Sequence, residues 1–249
     1  GTFYNCTSLT EAILPPTLTS IGMNAFRGCT SLMKVDLGGT NTIGTSSFVG
    51  CTELTQLLGT TNVTAIDSYA FDGASLEGLE VNFPHLISVG YGAFRNTKIA
   101  KVVSLGSITT LNYTSNIGIF TGCTQLTEVT LPATLTLINV YTFQNCTALR
   151  AVKFPDGNNV VTLGGLAFHN CSSLTGSISF PSLQTINGNA VFYNSGIEEV
   201  LDLGQIKSIP AGTNTSSGVF SNCKSLRRVV LPQTCETLGA YTFANSTIE

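Results

Sequence analysis

Apolar positions along this chain follow a repeating order. A phenylalanine returns at Phe3, Phe26, Phe48, Phe71, Phe94, Phe120, Phe143, Phe168, Phe192, Phe220 and Phe243, at intervals of 22 to 28 residues and most often 23. Six residues later stands a leucine in seven turns: Leu9, Leu32, Leu54, Leu126, Leu149, Leu174 and Leu226. In the other four turns the apolar residue comes five after the Phe, as Leu76, Ile99, Ile197 and Ile248. Next comes a period-2 pair: Ala12/Leu14, Val35/Leu37, Val103/Leu105, Val129/Leu131, Val152/Phe154, Leu201/Leu203 and Val229/Leu231. Leu57/Gly59 fills the same slots weakly, while Val81/Phe83 and Ile178/Phe180 lie one residue further on. Alternation over so short a run predicts a β-strand with one buried face. Pro15, Pro84, Pro132, Pro155, Pro181 and Pro232 follow, where a strand should stop.

A second apolar anchor closes each unit, at Ile21, Ile43, Ile66, Val89, Leu111, Ile138, Leu163, Ile186, Ile209 and Leu238. The short lead into each Phe, often Ala-Phe as at Ala25-Phe26 and Ala167-Phe168, suits one helical turn or a 3₁₀ piece. A unit of strand, corner, short extended piece and helical turn cannot bury its apolar side alone, so units must stack. The pattern therefore predicts an α/β right-handed solenoid of about ten coils. Its parallel sheet lies on one face, and its length along the axis is roughly 50 Å. One domain is expected over residues 1–249, cut within a repeat at both ends, with insertions at Tyr113 to Ile119 and Ala211 to Gly218.

Cysteine is a repeat position too. Cys6, Cys29, Cys51, Cys123, Cys146, Cys171 and Cys223 each stand three residues after the Phe, and Ala74, Thr97, Ser195 or Ser246 takes that slot elsewhere. Stacking would bring neighbouring cysteines close enough for disulfides. A slot that accepts Ala or Thr reads better as packing, with Cys acting as a small hydrophobe. Each consecutive row also holds three cysteines, so pairing neighbours would strand one thiol. All seven are expected reduced and inward, and Cys235, at the position of Leu18 and Leu135, is expected in the core.

Charged residues make up only 10% of the chain, well below the roughly 25% of ordinary soluble domains. Thr, Ser, Asn and Gly must supply the polar surface, which suits the outside of a cell. A net charge of −3 and the lack of a basic, aromatic-interleaved patch argue against nucleic acid as a partner. No run approaches the roughly 18 apolar residues of a membrane span, so no membrane insertion of this segment is expected.

Catalytic apparatus is equally hard to find. Cysteines one repeat apart form a line, not the tetrahedron that zinc requires. His85 and His169 sit at unrelated phases and read as surface or turn residues. Glu198 and Glu199 are adjacent on a strand and point opposite ways. Gly38-Gly39 and Gly164-Gly165 lack phosphate-loop spacing and read as turn glycines. No catalytic, cofactor-binding or metal-ligating residue is picked out, and an enzyme is not expected. The sequons beginning at Asn5, Asn145, Asn170 and Asn245 come from the repeat itself.

The run from Cys29 through Leu32, Val35 and Leu37, and the stretch from Gly122 to Leu149, resemble the BspA-like leucine-rich repeats. Their pattern reads approximately I-G-x-x-A-F-x-x-C-x-x-L-x-x-V-x-L-P. The resemblance covers essentially the whole chain. It implies a secreted or surface protein of a host-associated bacterium or protist, several such proteins being adhesins for matrix proteins or other cells. No ligand residue carries over by motif, because the family has no common one.

Solenoids commonly bind on the extended face of their strand row. The outward positions here are Glu11/Ile13, Lys34/Asp36, Gln56/Leu58, Glu80/Asn82, Val102/Ser104, Glu128/Thr130, Ala151/Lys153, Ser177/Ser179, Val200/Asp202 and Arg228/Val230. The candidate partner-binding face is therefore Glu11, Ile13, Lys34, Asp36, Gln56, Leu58, Glu80, Asn82, Glu128, Thr130, Lys153, Asp202, Arg228 and Val230. The expected partner is a protein, for example a host matrix or cell-surface protein. A structural spacer within a larger surface protein is the alternative.

Overall fold

The structure is a computed structural model and describes residues 1–112 and 117–248. The first four positions of the insertion that begins at Tyr113, and Glu249, lie outside the described residues.

The period-2 pairs form a first row of strands: Glu11–Ile13, Lys34–Asp36, Gln56–Leu58, Glu80–Asn82, Lys101–Ser104, Glu128–Thr130, Ala151–Lys153, Ser177–Ser179, Glu199–Asp202 and Arg228–Val229. Paired strands in this row run parallel, as one coil laid on the next requires. The second anchors form a second parallel row, from Ser20–Ile21 to Thr237–Leu238. Anchors Ile21 to Ile209 are buried, but Leu238, in the last coil, is 52% exposed.

The first row is not continuous. It runs as sheets of three, four and three strands, broken between Gln56–Leu58 and Glu80–Asn82 and between Ala151–Lys153 and Ser177–Ser179. Both breaks fall where the inward pair, Val81/Phe83 or Ile178/Phe180, comes one residue late. Side chains alternate with period two, so a one-residue offset keeps the buried face only if the ladder gives way.

Two inward pairs need correction. Val102 and Val200 are fully buried, whereas Val103 is half-buried and Leu201 is 40% exposed. The shorter loops at Thr97 and Ser195 deliver the strand one residue early. A bulge then restores register: Val81 pairs with Val102 but Asn82 with Ser104, and Ile178 with Val200 but Ser179 with Asp202. Val103 and Leu201 are the extra residues, which leaves Leu105 and Leu203 buried in the usual slots.

The expected helical turns before each Phe are absent from the described residues. Only Thr60–Asn62 forms a 3₁₀ turn, and it lies at a corner. Left-handed residues explain this. The residue two after the Phe is Asn or Gly in every turn and has positive φ in each: Asn5, Gly28, Gly50, Gly73, Asn96, Gly122, Asn145, Asn170, Asn194, Asn222 and Asn245. In most turns the residue two before it is left-handed as well, as at Asn24, Tyr69, Tyr141 and Leu166. A helix cannot run through such positions. Alternate amides instead donate to the next coil: Tyr141 to Gly165 O, Phe143 to Ala167 O at 2.8 Å and Asn145 to His169 O at 2.8 Å.

Inside this third ladder the eleven repeat phenylalanines stack face to face. Successive ring centroids lie 5.1 to 5.6 Å apart, with planes within 19° of parallel. Beside them each buried cysteine donates its thiol to the Phe carbonyl of the preceding coil, at 3.0 Å for Cys29 to Phe3, 2.9 Å for Cys123 to Phe94 and 3.1 Å for Cys171 to Phe143. Ser246 makes the same bond to Phe220. The slot is thus a donor position as well as a packing position. All eight thiols are free. Cys6 is exposed and Cys235 half-buried, contrary to expectation, because each lies in a terminal coil with a neighbour on one side only.

Candidate interaction face

The first row presents a long outward surface on which several charges pair with one another. Lys34 pairs with Glu11 on the neighbouring strand at 2.6 Å. Glu128 sits between two lysines, Lys153 at 2.6 Å and Lys101 at 3.0 Å. Lys153, then Lys101, hold the Glu128 carboxyl below the usual carboxylate range, and Glu128 in turn raises Lys101. These are cross-strand pairs of the kind that fixes register on a sheet face, weakened by their exposure to water.

In three strands the last residue has a different task. Asp36 Oδ1 accepts the Gly38 amide at 3.0 Å, and Asp202 Oδ1 accepts the Gly204 amide at 2.8 Å. Ser104 makes the same bond to Gly106. Each glycine is left-handed, with φ of 56°, 61° and 60° respectively, so these side chains cap the corner at the end of the strand. Asp36 and Asp202 are therefore corner residues first.

The row also leaves apolar groups open. Ile13 is 69% exposed and Leu58 47%, and both register against Asp36, one from each side. Leu201 and Val230 expose a second aliphatic pair near the other end. Of the remaining expected face residues, Glu11, Gln56, Glu80, Asn82, Lys153 and Arg228 are exposed and Lys34, Glu128 and Thr130 half-buried. Sequence reasoning missed Leu201, because its bulge is visible only once two coils are laid together.

Where the first row breaks after Ala151–Lys153, the coils part to leave a cleft of about 290 Å³, with Arg150 beside it and Phe154, Ile178 and Phe180 among its walls. The break after Gln56–Leu58 leaves only about 60 Å³. Among the described residues no three His, Cys, Asp or Glu side chains converge as a metal-binding group, and no helix is long and apolar enough to cross a membrane. His85 Nδ1 lies 2.7 Å from the Thr61 carbonyl at the surface. His169 stacks on Tyr193 at 4.8 Å, and burial holds it below the ordinary histidine value.

A family model described as the BspA type leucine-rich repeat region, six copies long, matches residues 1–117, 100–214 and 158–249. The chain belongs to this family. A leucine-rich repeat protein from Bacteroides ovatus has the same fold, with a TM-score of 0.70 and 24% identity over 98% of this chain and 67% of its own. One from Eubacterium ventriosum aligns with a TM-score of 0.51 and 17% identity, over 96% of this chain and 83% of its own.

The BspA-type repeat also explains the sequons. Their asparagines occupy the left-handed slot after the Phe, where Asn side chains of successive turns bond to one another: Asn170 Nδ2 donates to Asn145 Oδ1 at 2.8 Å, Asn194 to Asn170 at 3.0 Å and Asn222 to Asn194 at 3.0 Å. Asn suits the slot twice over, since it tolerates φ near +60° and extends a ladder of amides.

Proposed function

We propose that this chain is a cell-surface or secreted bacterial binding module, adhesin-like in action, which holds a protein partner against the outward face of its first strand row. The observation that carries the reading is the pair of aliphatic patches, Ile13/Leu58 and Leu201/Val230, standing out of a row in which Glu11 pairs with Lys34 and Glu128 with Lys101 and Lys153. Exposed apolar groups rimmed by polar ones are the usual core of a protein interface. The charge-poor, hydroxyl-rich composition fits an extracellular setting. Nothing in the face supplies a nucleophile with a base, so binding rather than turnover is the activity to test.

The test is binding of purified chain to a panel of extracellular-matrix proteins and intact host cells. The double substitution Ile13→Glu and Leu58→Glu should weaken binding at least about tenfold, equal to about 1.4 kcal/mol. Thr42→Glu on the second row should leave it unchanged. Wild-type affinity in both the Ile13/Leu58 variant and a Leu201→Glu/Val230→Glu variant would overturn the proposal. The second reading, a spacer within a larger surface protein, is favoured by the mutual pairing of Lys101, Glu128 and Lys153. It predicts that neither pair matters for any partner.

A further inference from the structure

The cleft after Ala151–Lys153 has a feature that the rest of the first row lacks. Its lining is aliphatic and aromatic apart from small hydroxyl residues and a single charge, Arg150. Phe168 and Phe192, buried members of the ring stack, lie at its inner end. The strands on either side belong to separate sheets, so neither offers its edge to the other. The opening persists because the coils are pinned elsewhere. Phe143, Phe168 and Phe192 keep their stacking at 5.3 and 5.1 Å, and the second-row strands Leu137–Ile138, Thr162–Gly164 and Thr185–Asn187 stay paired. The outer halves of the two coils cannot close without breaking these contacts or their one-residue offset.

Arg150 is exposed, and its guanidinium makes no ion pair or hydrogen bond with any described residue. Lys34, Lys101 and Lys153 of the first row are paired to carboxylates, and Arg228, which is not, does not line the cleft. A slot whose walls mix apolar side chains with polar groups, with an unpaired guanidinium at its edge, can take an apolar group that carries a carboxylate beside it. Its volume, about 290 Å³, falls just under the range of roughly 300–1,000 Å³ typical of small-molecule sites. One large side chain is the better fit, and buried aromatic anchors seated in pockets dominate many protein interfaces.

We propose that the cleft is an anchor pocket in which Val152, Phe154, Ile178 and Phe180 enclose an aromatic side chain of a partner polypeptide. Arg150 takes the carboxylate of an adjoining Asp or Glu of that partner. The proposal rests on the protein-binding reading of the first row and gives it a specific point of attachment. Guanidinium and carboxylate suit each other through two parallel hydrogen bonds, so the contact fixes orientation as well as affinity.

The chain contains no Trp, so the indole of a capped peptide, acetyl-Gly-Trp-Asp-Gly-amide, can be followed without background. Its emission should shift to the blue on titration with the full chain and should saturate. Replacing Asp by Asn in the peptide, or Arg150→Gln in the protein, should each weaken binding about tenfold. Thr175→Phe at the rim should abolish it, with circular dichroism confirming that both variants fold. No saturable shift, or equal affinity for wild type and Arg150→Gln, would overturn the proposal. So would indole-3-propionate binding as tightly as the peptide, since that would make the cleft a small-molecule site. A matrix protein that loses the Ile13/Leu58 variant but binds Arg150→Gln normally would leave the protein-binding face standing and remove the cleft from it.

Discussion

Phe143→Ala should destabilise the protein by about 3–5 kcal/mol in reversible denaturant unfolding. The ring is fully buried between Phe120, 5.5 Å away, and Phe168, 5.3 Å away, so truncation strips one face from each neighbour as well as removing its own burial. Collapse of the void is impeded because the backbone on both sides is fixed. Phe143 N donates to Ala167 O, and its carbonyl receives both the Cys146 amide at 3.1 Å and the Cys171 thiol at 3.1 Å. The cavity should therefore remain open and the cost lie in the upper part of the range. A loss below about 1 kcal/mol would show that the ring is not enclosed and that the stack is not a structural spine.

Gly164→Ala should destabilise the protein by about 1–3 kcal/mol, toward the upper end. A Cβ there would lie 2.4 Å from Val140 N, 2.6 Å from Asn139 C and 2.9 Å from Val140 Cα, all backbone atoms of the preceding coil. Backbone cannot swing aside as a side chain can, so two coils must part. Gly50→Ala is the control: its φ is +72°, but a Cβ would meet nothing within 4 Å, so only the conformational penalty applies. Unfolding midpoints that fall equally for both would contradict the close approach at Gly164.

The same glycine shows what sequence can and cannot reveal. Gly164 reads as a turn residue in the sequence because turns and close approaches both select Gly. The structure gives Gly38 the left-handed φ of a turn, whereas Gly164 has no positive φ and is instead pressed against the coil below. The repeat itself was legible, since Phe, Leu and Cys recur at fixed offsets from one another and each offset is a packing contact. The strand rows followed, because alternation with a closing proline has few other meanings.

Relations between coils were not legible. Val102 and Val103 are both valines, so only the partner strand decides which faces inward, and the bulge opposite Asn82 decides for Val102. The helical turn failed for a related reason. Asn and Gly two residues after the Phe were visible at every turn, but their meaning as left-handed positions needed the ladder of amides that alternates with them. On the binding face, exposure of Ile13 and Leu58 could be read from phase, whereas the pairing of Glu128 and the corner task of Asp36 and Asp202 depend on atoms that the pattern does not contain. Arg150 carried no signal at all, since it precedes its strand and matters only through a break between coils.

Titration of the thiols, native and unfolded, tests the stacked ladder most directly. Burial pushes the Cys51 and Cys123 thiols up to about 12 and Cys223 up to about 11, and raises Cys29, Cys146 and Cys171 as well. The thiolate is the reactive form, so these six should react slowly in native protein. Cys6, which is exposed, should react at once, and Cys235 at an intermediate rate. Denatured without reductant, the chain should yield all eight thiols. Recovery of only four or six would mean that disulfides staple the coils, and rapid reaction of the six in native protein would mean that the coils are not closed over them.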